Sequence, residues 1–499
     1  MLCTLASYLL SQGPLTEAEA SNYTKTSSYI QVITYLRNLQ QQGAPIRIET
    51  IGRSTKGTAI PLVICSDIPG ITPAEAKRRC IPVVYVQANI HAGEVEGKEA
   101  IQIILREIAQ NRKDPLRKLV LVTTPMYNCD GNDAWGPALT NRGHQDGPDP
   151  VGQRQNGQGL DLNRDAIKAV APETKAVLEH VYRAWDPVMT MDLHTTNGTR
   201  HGYLMTYAPP TYPVTDPNLL KFNVDLLAGI RKAAKHGYAL QDYGNYEGDS
   251  WRTFGYEPRY VTNYAALRNR FTALSEAASF QPFKTRVDVT RDFVRDVLEP
   301  IAKNPKPYLD AVRAADAAAA QLPGSQLGVE FDMASRGTEK LILEDPDAAN
   351  PIPPNKAPVR YKTIEAPIFD RFVATRSTTV PTAYLIDEDQ KSAIELLRLH
   401  GVRVERVGPG QRRVEMFALE KGSVKQSGFQ GLKLWVAKGQ WTPGQVDYEG
   451  SFYRVPMNQP LARLAFTLLD PESPDSVFTW GYLGDISASS QFPIWRETK

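Results

Sequence analysis

Up to about residue 303 the chain alternates short apolar, β-rich runs with segments of helical period, and this alternation restricts the fold more than any other feature. The runs "PIRIETIG" (45–52), "IPLVICSD" (60–67), "PVVYVQANI" (82–90), "LVLVTTPM" (119–126), "PVMTMDLH" (187–194), "HGYLMTY" (201–207) and "FTALSEAA" (271–278) read as strands. Helix-period segments lie between them at 24–42, 95–111, 172–184 and 217–236, and another follows at 284–302. Strands that alternate with helices predict an α/β domain whose sheet is covered on both faces. Continuous apolar runs such as "PVVYV" and "LVLV" suit central strands buried on two sides.

After residue 303 the texture changes. "YLDAVRAADAAAAQL" predicts one Ala-rich helix, and "EDPDAANPIPPNKAP" (344–358) is too rich in Pro to stay helical. Beyond it, 380–407 reads as strand, helix, strand, with Gly401 ending the helix, and short alternating runs follow. At 499 residues the chain exceeds what one core usually supports. The expected division is an α/β region at 1–303, a helix and Pro-rich linker at 304–360, and a smaller, mostly β region at 361–499.

The charge balance is even: 57 Lys and Arg against 55 Asp and Glu give +2, with no long block of one sign. That argues against a nucleic-acid groove or a membrane-attracted surface as the main business. No apolar run approaches the ~20 residues that span a bilayer. Cys3, Cys65, Cys80 and Cys129 form no CxxC pair, and Cys65 with Cys80 could be a disulfide or free thiols. The amino end lacks the basic start of a signal peptide and reads as a first helix or a ragged start.

Chemistry gathers where strands should end. His91 and Glu94 stand three apart on the turn after "PVVYVQANI", and His194 closes "VMTMDLH". Imidazole and carboxylate suit a zinc ion, which in catalytic sites takes three protein ligands. Open α/β sheets collect function at the carboxyl ends of their strands. A Gly-rich segment, "RQNGQGLDLNRDAIK" (154–168), adds Arg154, Asn163 and Arg164, and guanidinium groups match carboxylates. Glu276 ends "FTALSE" in apolar company that should raise its pKa into the range of a general base.

"NIHAGEVEGKEA", "GQGLDLNRD", "MDLHTTNG" and "ALSEAAS" occur in the order and approximate spacing of the zinc metallocarboxypeptidases of the carboxypeptidase A type, which the chain resembles over about residues 20–300. The resemblance implies an α/β/α sandwich around a mixed, mostly parallel sheet. It implies one zinc ion held by His91, Glu94 and His194, with Asp161 orienting the first histidine. Arg154 is similar to the arginine that polarises the scissile carbonyl, and Asn163 and Arg164 to the pair that holds the terminal carboxylate of a peptide substrate. Glu276 resembles the catalytic glutamate. Of Tyr256, Tyr260 and Tyr264, spacing favours Tyr256 as the tyrosine that covers the substrate. Asp165 departs from the family pattern and could weaken anion binding. Arg259, Arg268 and Arg270 raise the expectation of a pocket for an acidic or polar side chain, or of exposed arginines. An extracellular or periplasmic setting follows from the resemblance alone. Two other readings are an amidohydrolase of N-acyl amino acids or wall peptides, and a catalytically silent peptide-binding protein. In the C-terminal region, expected to pack on or shape the substrate site, His400 with Asp470, Glu472 and Asp475 could form a second metal site or serve as caps and turns.

Overall fold

The structure, a computed structural model, describes residues 13–420, 424–436, 438–484, 486 and 492–498. Cys3 and most of the amino-terminal stretch weighed as a first helix lie outside the described residues. The principal sheet holds β1 (Ile46–Arg53), β2 (Ala59–Cys65), β3 (Val83–Ala88), β4 (Val120–Thr124), β5 (Met189–Thr195), β6 (Met205–Ala208), β7 (Leu240–Asp242) and β10 (Phe271–Ala277). Between β7 and β10 the chain makes β8 (Asn245–Glu247) and β9 (Ser250–Arg252), which belong to another sheet. The spatial order is β1-β2-β4-β3-β5-β10-β6-β7. Its centre, β4, β3, β5 and β10, is parallel, while β1 and β2 pair antiparallel to their neighbours, and β6 is antiparallel to β10 and parallel to β7.

The alternation along β3 explains the layers. Val84 and Val86 face one way and pack with Ile101, Ile104 and Leu105 of helix α2 (Glu96–Gln110), Leu36 of α1 (Tyr29–Gln41) and, further along that layer, Leu227 of α3 (Pro217–Ala233). Val83 and Tyr85 face the other way, into a core with Val177, Val181 and Tyr264 of α4 (Val261–Leu267). The period of two in a strand therefore serves two cores at once. Each such buried side chain contributes about 1.5–3 kcal/mol. Helices α5 (Phe283–Lys303) and α6 (Lys306–Ala319) complete the first layer, and α6 is the expected Ala-rich helix. The fold is the expected α/β/α sandwich around a mixed sheet.

The Pro-rich stretch at 344–358 joins β11 (Gln326–Glu344) to β12 (Tyr361–Thr379), a long hairpin that extends the sheet of β8 and β9. Next come β13 (Ala383–Asp387), α7 (Lys391–Leu399) and β14 (Glu405–Val407), as the sequence suggests. They are followed by β15 (Gly410–Leu419), the hairpin β16 (Lys425–Phe429) and β17 (Leu432–Val436), β18 (Gly439–Tyr448), β19 (Phe452–Pro456), α8 (Ala462–Leu469) and β20 (Ile494–Glu497). Leu464, Phe466 and Leu468 of α8 sit in the same core as Tyr85 and Tyr264, so the C-terminal region covers part of the principal sheet's second face. Cys65, Cys80 and Cys129 are free thiols, Cys80 exposed and the others buried. Among the described residues no helix is long and apolar enough to cross a membrane.

Candidate metal centre and active site

Three strand ends meet at one place. After β3 the chain turns through Asn89, in the left-handed region at φ 63°, and closes a turn with the Glu94 amide donating to the His91 carbonyl at 2.9 Å. The turn then enters α2, whose Gly97 lies against the sheet. A Cβ at that position would stand 2.9 Å from the Leu193 Cβ and 3.0 Å from the Ala88 Cβ. His194 lies near the end of β5, and Glu276 is its register partner on the parallel strand β10.

His91, Glu94 and His194 are buried, and their donor atoms all fall within 4.8 Å of one another. The two Nδ1 atoms are 3.2 Å apart, and Glu94 reaches them with Oε1 at 3.1 Å and Oε2 at 2.9 Å. The far nitrogens are held from behind: His91 Nε2 lies 3.0 Å from Asp161 Oδ1, and His194 Nε2 lies 2.8 Å from Asp192 Oδ2. Asp161, accepting from His91 Nε2, fixes the tautomer that leaves the His91 Nδ1 free to donate to a metal. His91, Arg142 and His194 outweigh burial and hold Glu94 well below the usual carboxylate range. Asp192 and Glu94 likewise outweigh burial and push His194 well up. Two imidazoles and a carboxylate converging on one point fit a zinc ion.

The surrounding cavity, of about 110 Å³, is lined by these three residues together with Arg154, Asn163, Arg164, Tyr243, Phe254, Tyr260, Leu274 and Glu276 among others. Arg154 donates to Asp161 Oδ2 from Nε at 2.9 Å and Nη2 at 2.7 Å, and its Nη1 lies 3.1 Å from His91 Nδ1. Asn163 accepts from the Val261 amide at 3.0 Å, and its Nδ2 is 3.2 Å from His194 Nε2, so this side chain is engaged with the protein. Arg164 lies with its guanidinium 4.3 Å from the Tyr260 ring centroid and donates to the Asn163 carbonyl at 2.7 Å. It has no ion-pair partner among the described residues. Burial raises the Glu276 carboxyl to about 8; Glu94 acts in the same direction and His194, Arg142 and Arg154 against it.

Several expectations move. Tyr256 is not in the cavity. Its ring packs 5.1 Å from Phe331 and 4.9 Å from Phe372, which belong to the β11–β12 hairpin, and it is Tyr260 and Tyr243 that face the site. Asp165 turns away, accepting from Lys168 Nζ at 2.6 Å and from the Val170 and Ala171 amides. Arg259 pairs with Asp475, and Arg270 is buried between Asp186 and Asp316. Arg268 donates to the His400 and Tyr182 carbonyls, so none of the three arginines lines the cavity. His400 is no metal ligand: its Nε2 meets the Ile167 carbonyl at 2.8 Å and its Nδ1 the Tyr264 hydroxyl at 2.9 Å. Asp470, Glu472 and Asp475 are paired with Arg496, Arg376 and Arg259.

Two contributors escaped the sequence reading. Arg142 donates to Glu94 Oε1 at 2.9 Å and to the Thr195 and Thr196 carbonyls. Gly93 makes room for it, since a Cβ there would stand 2.7 Å from the Arg142 Cγ. Nothing in the spacing marks Arg142, which sits in a Pro- and Gly-rich loop. Asp192 was legible, because residues two apart on a strand share a face and it precedes His194 by two.

Residues 32–272 match the profile of the Peptidase_M14 family, described as zinc carboxypeptidase. Carboxypeptidase 2 of Trichophyton tonsurans is 22% identical over 462 residues, covering 83% of this chain and 76% of that protein. Carboxypeptidase 2 of Trichophyton rubrum is 22% identical over 502 residues, covering 93% and 85%. Among solved structures, a metallo-carboxypeptidase from Pseudomonas aeruginosa in complex with (2-guanidinoethylmercapto)succinic acid is similar at 17% identity and a TM-score of 0.42, over 58% of this chain and 70% of that one. Carboxypeptidase A from Helicoverpa armigera is similar at 16% identity and a TM-score of 0.40, over 58% and 75%. Over residues 32–272, then, the chain carries a zinc carboxypeptidase domain of the Peptidase_M14 family, a metallocarboxypeptidase hydrolase domain.

Proposed function

We propose that the protein removes single residues from peptides that end in a free carboxylate, with Glu276 as general base and Arg164 as the anchor for that carboxylate. The observation that carries this reading is Arg164, a cation in the same cavity as the metal donor set and, among the described residues, without a carboxylate of its own. A planar guanidinium pairs with a carboxylate in two parallel hydrogen bonds. Anchoring there would leave the last peptide bond beside His91, Glu94 and His194.

One zinc ion on those three residues would supply a Lewis acid for polarising the carbonyl and activating water. Glu276 takes the proton of the attacking water and passes it to the amine nitrogen as the C–N bond breaks. Arg154, held by Asp161, presents a positive charge where the carbonyl oxygen becomes negative, an interaction strongest in the transition state. Asn163 keeps His194 and the turn at Val261 in place. Leu274, Phe254 and Tyr243 carry no charge toward the substrate's last side chain, which favours an apolar terminal residue over an acidic one. We extend the reading, on resemblance, to an extracellular or periplasmic setting.

The test is a panel of free and C-terminally amidated peptides, assayed with metal content determined on the same sample. Release of single residues from the free peptides only, lost with chelator and restored by zinc, is the expected result. Arg164→Ala should raise KM for the free peptides about 100-fold or more, the loss of a charge-assisted pair worth a few kcal/mol. Bound zinc with no cleavage of either set would shift the reading to an amidohydrolase.

A further inference from the structure

The turn at residues 257–261 supplies Tyr260, on which Arg164 lies, and the Val261 amide that holds Asn163. This turn is gripped from outside the matched family domain. Arg259 donates to Asp475 Oδ2 from its amide at 2.9 Å and from Nε at 3.1 Å, and its Nη2 lies 2.9 Å from Oδ1. Its guanidinium is also within reach of two rings, 4.7 Å from the Phe429 centroid and 5.2 Å from that of Trp480. Asp475 is fully buried, so the pair works in a low dielectric, where one partner alone is costly. On its other side the Arg259 carbonyl accepts from the Ala166 amide at 3.2 Å, linking the turn to the Asn163–Arg164 loop.

The same C-terminal segments hold that loop directly. Gln430, at the tip of the β16–β17 hairpin, accepts from the Asp161 amide at 3.3 Å. The Tyr482 hydroxyl donates to the Lys168 carbonyl at 2.5 Å, and Lys168 Nζ stands 5.5 Å from the Trp480 centroid. Both walls of the proposed carboxylate anchor are thus braced by residues between 429 and 482, and His400 adds a bond to the Ile167 carbonyl further along the loop.

We propose that Arg259, Asp475, Phe429 and Trp480 form a positioning clamp that holds Tyr260 and Arg164 in their carboxylate-binding arrangement, so that the C-terminal region sets the affinity for the substrate's free end. The clamp residues touch no reacting atom, and their effect falls on substrate capture, not on the proton transfers of Glu276. The inference rests on the role proposed for Arg164.

Steady-state kinetics of the full-length, zinc-loaded protein test it, using one peptide with a free C-terminus. For Asp475→Asn and, independently, Phe429→Ala, KM should rise about 10-fold, the effect of a loosened charged contact. The value of kcat should stay within about twofold, with zinc content unchanged. Phe429 lies on a half-buried hairpin tip, so its replacement keeps the test open if Asp475→Asn fails to fold. Phe429→Tyr, which keeps the ring, should restore the wild-type KM. Unchanged KM in Phe429→Ala, an equal fall in kcat, or no rescue by Phe429→Tyr would overturn the clamp. A wild-type enzyme that treats free and amidated peptides alike would instead overturn the anchor itself, so the two failures are told apart.

Discussion

Individual side chains divide the work at the site between holding and reacting. Glu276 is the side chain proposed to react: it is buried at a strand end, opposite His194, with its pKa raised to about 8. Glu276→Gln keeps the shape and removes the base, so kcat should fall about 10²- to 10⁴-fold while zinc content stays the same; a metal determination beside the assay checks both halves. Arg142 only holds, through Glu94. Arg142→Ala should weaken zinc binding about 10- to 100-fold, the usual cost of losing a group that orients a ligand, and competition with a chromogenic chelator measures it. His91, Glu94 and His194 were legible in the sequence because each metal-type side chain follows an apolar run. Tyr260 was not, because the choice between it and Tyr256 depends on which ring the distant Phe331 and Phe372 bury.

At the level of elements, the metal turn depends on how closely α2 approaches β3 and β5. Gly97 permits it, and Gly97→Ala would drive a methyl into Leu193 and Ala88. The expected cost is about 1–3 kcal/mol, read by chemical denaturation. The strands of the principal sheet were legible because burial on two faces leaves continuous apolar runs. Strands β11 and β12 were not, since β12 is largely exposed, β11 buries only short alternating stretches at its two ends, and the Pro-rich stretch between them reads equally well as a linker. Pairing between strands, which a single local window does not contain, decided the matter.

Over the whole molecule, buried polar groups tie the C-terminal region to the principal sheet, and His400 is one that titrates. Burial lowers its pKa to about 3, whereas an unfolded histidine titrates near 6.5. The unfolded chain therefore binds that proton first. Stability from this group is whole above about pH 6.5 and is lost as pH falls toward 3, at up to about 1.4 kcal/mol per pH unit. Denaturation between pH 7 and 4 should show a steeper loss for the wild type than for His400→Gln; parallel curves would refute the assignment.

The position of α8 also bears on the order in which the protein comes into being. Leu464, Phe466 and Leu468 fill the same core as Tyr85 and Tyr264, although the metal ligands are all made far earlier in the chain. Chains emerge from the ribosome amino end first. A growing polypeptide that already holds every residue of the proposed catalytic centre still exposes an uncovered sheet face, and that face closes only once α8 has been made.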